Sequence, residues 1–415
     1  MGIESWLVGI LTVYVAWNLG ANDIANSMGT SVGSKALSLR QALAIAAVLE
    51  FLGAVLLGSR VASTLATDVV DPMRFAHDPG VYALGMVSAL VACGLWVQVA
   101  TWLALPVSTS HAIVGAIAGF AWLAVDRTAI QWSTIGLISF VWIITPVFSG
   151  AFAAAFYSVI RRWVLHRPQP IVALYEWIPW LSVGLISVFG GLVLPAVIQQ
   201  GANFAEWLSH PLVPWSVGAI ATVGLSFAAF RHIQTPEAVF AKFQIVSACF
   251  VAFAHGSNDI GNAIAPLAVL QLIRTTQHIP TDAIAIPIGV LLLGAVGMVA
   301  GLAVLGKRVI QTVGEGIASL QPSQGFCAEL ATATTVLLAS LAGLPVSTSH
   351  ALVGAVVGTS LLPRSSTTTA IDAESPPLNR RKTLIKIGLA WFATVPISAL
   401  LSALVFAGLH RILPR

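Results

Sequence analysis

PVSTSHAIVGA occupies positions 106–116 and PVSTSHALVGA positions 345–355, with ten of the eleven residues identical. Upstream of each copy stands a second paired motif, GANDIAN at 20–26 and GSNDIGN at 256–262. Order and spacing are kept: 84 residues separate Asn22 from Pro106, and 87 separate Asn258 from Pro345. Further along, Trp142 with Pro146 is echoed by Trp391 with Pro396, and Gly58-Ser59-Arg60-Val61 by Gly306-Lys307-Arg308-Val309. The chain therefore reads as a tandem duplication. Residues 1–167 form a first repeat, 168–235 a linker with connecting helices, and 236–415 a second repeat.

The composition names the solvent. Of 415 residues, 57% are hydrophobic and only 9% charged, too little polar surface to coat a water-soluble globule of this size. Charge-free stretches such as 85–105, 134–160, 283–306 and 387–409 are long enough to cross a bilayer as helices, and ten to twelve can be drawn. No segment shows the alternation of a membrane barrel strand. The expected fold is all-α: a polytopic transmembrane bundle of two inverted-topology repeats with broken or re-entrant helices. The first apolar run follows Glu4 with no Lys or Arg before it, unlike a cleavable signal, and is expected to stay as a helix. Cys93, Cys249 and Cys327 are isolated in apolar surroundings, so neither a disulfide framework nor a zinc site is indicated. The net charge of +4 is modest and sits between apolar segments, which argues against a nucleic-acid partner. Trp163, Trp177, Trp180 and Trp215 near segment ends suit an interfacial belt against membrane lipid.

Charge asymmetry points to inversion. In the first repeat Arg161, Arg162 and Arg167 follow the last apolar segment and only Arg127 precedes it; in the second, Arg380, Arg381, Lys382 and Lys386 precede the matching segment, against Arg411 and Arg415 after it. By the positive-inside rule these equivalent helices run in opposite directions. The linker at 161–169 and the polar loop at 364–382 then face the cytoplasm, with the loop reading as a flexible segment away from the site.

Each motif has its own chemistry. Asp23 and Asp259 interrupt apolar runs, and a carboxylate there costs several kcal/mol unless it meets protein, water or a cation. Glycines beside them (Gly20, Gly29, Gly33, Gly256, Gly261) are expected to loosen the helix and free carbonyl oxygens. Asp23, Asn26, Asp259 and Asn262 together would suit sodium, or the carboxylates could carry protons. In the second motif a proline, three hydroxyls and an apolar run with GxxxG spacing (Gly115 to Gly119; Gly354 to Gly358) describe the start of a re-entrant helix. Such a start binds anions through free N–H groups and the helix dipole. The hydroxyls of Ser108, Thr109, Ser110, Ser347, Thr348 and Ser349 add donors. N-capping accounts for one hydroxyl per helix, not for three kept twice. His111 and His350 either bind the anion, relay protons or cap the same turn, with the structural role ahead. Glu50 and Glu329 lie in apolar stretches at non-equivalent positions, Glu329 falling opposite Leu90; each could pair with a helix end or with a lysine or arginine near the site, with functional and structural roles evenly balanced. A hydrolase has little support: Ser110 and His111 are adjacent, no GxSxG elbow exists, and a nucleophile needs no second copy. An anion channel is the less favoured alternative, since a midplane site with acidic cation ligands suits alternating access.

At these residues the sequence resembles the inorganic phosphate transporter (PiT) family, whose hallmark is the duplicated GANDxAN and P-[VI]-S-[TS]-[TS]-H pair. The likeness runs over nearly the whole chain. It implies import of inorganic phosphate across the cell membrane by symport with sodium or protons, without a cofactor, through inverted repeats with both termini outside. It also implies that Asn22, Asp23, Asn26, Asn258, Asp259 and Asn262 serve cation and substrate, that the Ser/Thr triplets hold phosphate, and that Glu50 and Glu329 match acidic positions important in the family. One departure is His255 ahead of Gly256-Ser257-Asn258, which makes the half-sites chemically unequal. Sulfate, carried by some members, is the alternative substrate. A sulfate site prefers donors only, whereas protonated phosphate can use an acceptor such as Asp23 or Asp259. Nothing in the sequence decides whether the protein is a homodimer.

Overall fold

Apolar runs in a bilayer must satisfy every backbone N–H and C=O internally, which leaves helices as the available element. The computed structural model describes residues 5–103, 107–199, 210, 212–231, 233–280, 282–314, 320–362 and 380–412. Pro106 and most of the polar loop, 363–379, lie outside the described residues, as do the side chains of Arg380, Arg381, Lys382 and Lys386. The described chain forms thirteen α-helices: α1 (Ser5–Gly33), α2 (Leu39–Leu57), α3 (Ser59–Thr67), α4 (Pro79–Trp102), α5 (Thr109–Ala124), α6 (Trp132–Ile160), α7 (Pro170–Gln199), α8 (Leu212–Arg231), α9 (Pro236–Thr276), α10 (Ile288–Gly314), α11 (Pro322–Leu341), α12 (Thr348–Ser360) and α13 (Arg380–Ile412). Among the described residues the only β pairing is an isolated bridge between Val70 and Ile130.

Ten of these helices are long and apolar enough to cross a membrane; α5 and α12, at 16 and 13 residues, are not, and α3 is shorter still. Local signals set the starts. Pro79, Pro236 and Pro322 occupy first-turn positions where a missing N–H costs nothing, and Ser38, Asp78 and Thr235 cap neighbouring starts through their side chains. The α4–α5 and α11–α12 pairs are the broken elements expected from the Ser/Thr motifs. Between the starts of α1 and α9, helices α1, α2, α4, α6, α7 and α8 are each long and apolar enough to cross a membrane, and α5 is too short to do so. The arrangement is the expected one of two inverted repeats, in which α9 is the counterpart of α1.

The two halves interlock rather than sit side by side. Helix α1 packs along α10 and α9 along α2, while α5 packs on α13 and α12 on α6. Each contact is thus made twice, once from each half. A side chain at Gly20 would strike the Met298 carbonyl, and one at Gly256 the Glu50 carbonyl. The GxxxG stripes do the same work for the short helices: Gly115 and Gly119 lie against the backbone of Val395 and Ala399, Gly354 and Gly358 against Pro146 and Gly150. Here the structure corrects one expectation. Helices α1 and α9 run unbroken through the Asn-Asp motifs. The glycines do not break the helices; Gly20, Gly256 and Gly261 let a neighbouring helix approach to backbone contact.

Replacing Gly119 by leucine should therefore drive α5 from α13 and lower stability by about 1–3 kcal/mol, as overpacking does. Gly136→Leu, at a glycine with nothing within 4 Å of a built side chain, should leave the thermal unfolding midpoint unchanged; both are read by melting the purified protein.

Candidate functional site

The starts of the short helices come first. Ser108 and Ser347, in extended conformation, each accept a hydrogen bond from the backbone N–H three residues on, at His111 and His350 respectively, both at 3.3 Å. This is the one capping hydroxyl per helix allowed for above. The hydroxyls that follow do something else. Thr109 meets the Asp23 carboxylate, and Thr348 donates to Asp259 Oδ1 at 3.4 Å. Asn262 Nδ2 lies 3.2 Å from both Thr109 Oγ1 and Ser110 Oγ. Ser110 Oγ in turn donates to the Val346 carbonyl at 2.8 Å, joining the start of α5 to the turn before α12. Ser349 pairs with Ser347 at 2.9 Å. Both Ser/Thr triplets and the Asn/Asp motifs of both halves thus meet in one buried cluster at the seam of the repeats.

The asparagines divide their roles. Asn22 and Asn26 both donate to Asp23 Oδ1, at 3.0 and 3.2 Å, and Asn22 Oδ1 accepts from Thr101 at 3.2 Å. Asn258 donates to Ser340 Oγ at 3.0 Å and the Leu344 carbonyl at 3.1 Å and accepts from the Val346 N–H at 3.2 Å, so it braces the turn leading into α12. Thr101 and Ser340 occupy the same place relative to their Ser/Thr motifs, a correspondence that a motif search overlooks because threonine has replaced serine.

Four buried carboxylates surround or support the cluster. Asp23, His255 and Asp259 bring one potential ligand atom each within 4.8 Å of one another. His255 Nε2 lies 3.0 Å from Asp259 Oδ2, and its Nδ1 lies 3.0 Å from Glu50 Oε1. A neutral imidazole has one donor, so a ring between two carboxylates requires a second proton somewhere along Glu50–His255–Asp259. Ser27 also donates to Glu50, at 2.9 Å. Glu329 has no such partner: Thr30 and Ser31 at 2.6 Å, Gln244 at 3.0 Å and Ser247 at 2.8 Å all point donors at it. It ties α11 to α1 and α9, apart from the short-helix starts. Ser27, Thr30, Ser31, Gln244 and Ser247 carry no motif and are visible only in three dimensions. Meanwhile Asp23 Oδ2 and Asn262 Oδ1 are buried without a hydrogen-bond partner, the kind of free oxygen a hard cation takes.

His111 and His350 form a clasp on the pseudo-twofold axis. Their Nδ1 atoms each lie 3.2 Å from a carbonyl, of Trp391 and Trp142 respectively. A carbonyl only accepts, so each ring carries its proton on Nδ1. His111 packs against Trp142 with centroids 3.7 Å apart and His350 against Trp391 at 3.6 Å, the rings tilted by 39° in each pair, and the two imidazoles meet edge to face at 4.8 Å. Trp142 Nε1 also holds the Pro345 carbonyl at 2.8 Å. Each short helix is thereby fastened to the last helix of both halves.

The sequence model of the phosphate transporter family matches residues 19–402. The chain is 36% identical to inorganic phosphate transporter 2-1, chloroplastic, of Arabidopsis thaliana, over 94% of this chain and 70% of that protein. A solved structure of a sodium-dependent phosphate transporter superposes with a TM-score of 0.86 at 35% identity, covering 99% of both chains. The chain belongs to the phosphate transporter family, whose members are membrane transporters and not enzymes.

Proposed function

We propose that the protein imports inorganic phosphate across the cell membrane by symport with sodium. Phosphate is held between the starts of α5 and α12 by Thr109, Ser110, Thr348 and Ser349 and by the first-turn backbone N–H groups that the Ser108 and Ser347 caps do not use. Sodium is held by Asp23, Asn26, Asp259 and Asn262. The observation that carries this reading is the crossing of motifs: Asn262 of the second half bonds the hydroxyls of the first short helix, while Asp259 takes the hydroxyl of the second. Cation and anion ligands are therefore one group, and neither can be filled without changing the field at the other. Unneutralised, Asp23 and Asp259 repel an anion; with cations on them, the two helix dipoles dominate and phosphate enters. That order of binding couples the fluxes, and exposure to the two sides then alternates as one body of helices moves against another.

Residues 1–167 and 236–415 are taken as the two functional repeats and 168–235 as the segment that inverts the second. Both termini are placed outside, with 161–169 in the cytoplasm. The Glu50–His255–Asp259 chain favours a second reading, in which the coupling cation is a proton.

Both are separated by uptake of labelled phosphate into proteoliposomes. Accumulation driven by an imposed sodium gradient, and not by a proton gradient alone, is the expected result; the converse assigns the proton, and strong inhibition by sulfate moves the substrate to sulfate. Asp259→Asn should keep the fold and lower coupled uptake about ten- to a hundredfold, the loss of one charge-assisted contact of about 1.5–3 kcal/mol; full activity would contradict the assignment of Asp259.

A further inference from the structure

Helix α6 carries two features that the transport site does not use, and both lie on one face. In its middle, Pro146, Gly150 and Ala154 line an apolar groove of about 450 Å³, closed on the other side by Val353, Val357 and Leu361 of α12. At its end the helix passes into a π-helical turn, Arg161–Leu165, that holds Arg161 and Arg162, with His166 and Arg167 just beyond. Steps of four, four and seven residues lead from Pro146 through Gly150 and Ala154 to Arg161, so at 3.6 residues per turn the arginine continues the line of the groove.

The basic end is organised, not merely charged. Arg162 and Arg167 sit over the Trp163 ring, 5.8 and 5.0 Å from its centroid, and Arg161 Nε donates to His166 Nε2 at 3.2 Å. Among the described residues no carboxylate lies within ion-pair distance of Arg161, Arg162 or Arg167. Trp163 is 44% exposed, in the place where an indole anchors at a membrane boundary. A guanidinium cluster at the boundary and an apolar groove that begins about two turns away along the same helix have complementary demands, one for phosphate oxygens and one for an alkyl chain.

We propose that the groove between α6 and α12 binds one anionic phospholipid, with an acyl chain between the helices and the headgroup phosphate on Arg161, Arg162 and Arg167. Trp391 also lines the groove and packs against His350. The lipid therefore touches the clasp that fastens α12, and it ties transport to membrane composition through a residue remote from the cation ligands.

The test is native mass spectrometry of the purified full chain in detergent supplemented with phosphatidylglycerol or phosphatidylcholine, which reads binding and does not depend on transport. One phosphatidylglycerol should be retained in preference to phosphatidylcholine. The triple change Arg161→Gln, Arg162→Gln, Arg167→Gln should weaken retention about a hundredfold, three basic residues at roughly tenfold or less each. Ala151→Phe, which fills the groove without touching the arginines, should release both lipids. Equal retention of the two lipids, unchanged retention in Ala151→Phe, or displacement of phosphatidylglycerol by inorganic phosphate would overturn the proposal.

Discussion

Asp23, Glu50, Asp259 and Glu329 put four carboxylates, each no more than 3% exposed, into helices whose solvent is hydrocarbon, and every one must find its donor inside the protein. That constraint shapes the seam between the halves. Glu329 is met by hydroxyls and an amide from α1 and α9, Glu50 by Ser27 and His255, Asp259 by His255 and Thr348, and Asp23 by Asn22, Asn26 and Thr109. Most of these partners lie on another helix, and several lie in the other half. The carboxylates can be buried only if the repeats interlock, and the glycine contacts supply the close approach that interlocking requires.

Much of this was legible in the sequence because duplication marks its own important residues. The Ser/Thr motifs announced the short helices, their GxxxG stripes the tight packing, and the charge asymmetry the inversion. The Asn-Asp motifs were also found, but their glycines were misread. Conformational freedom and close approach both call for glycine, and a linear pattern does not separate them; the unbroken α1 and α9 do. Glu329 was expected to pair with a helix end or with a lysine or arginine; its donors are instead hydroxyls and an amide that sit far away in sequence, Thr30 and Ser31 nearly three hundred residues off. The Trp142 and Trp391 echo was noticed as a repeat, yet its role as the seat of His111 and His350 depends on the last helix of one half reaching the short helix of the other.

The departures from symmetry are as informative as the symmetry. The position of His255 is held by Leu19 in the first repeat, so only the second Asn-Asp motif carries an imidazole of its own, and its Nε2 lies 3.0 Å from Asp259. Asp23 instead gathers two amide donors on one oxygen and leaves the other free. Two carboxylates of the same motif thus differ in what they still need: Asp23 Oδ2 is buried without a hydrogen-bond partner, whereas both oxygens of Asp259 are met, by Thr348 and His255.

The central claim is that both repeats build a single shared site. Equilibrium binding of labelled phosphate to the purified protein in sodium tests it directly, with Thr109→Val and Thr348→Val measured beside the unaltered chain. One phosphate bound per chain, weakened by either substitution alone, is the result the account predicts. Two phosphates per chain, or binding weakened by a change in only one half, would contradict it.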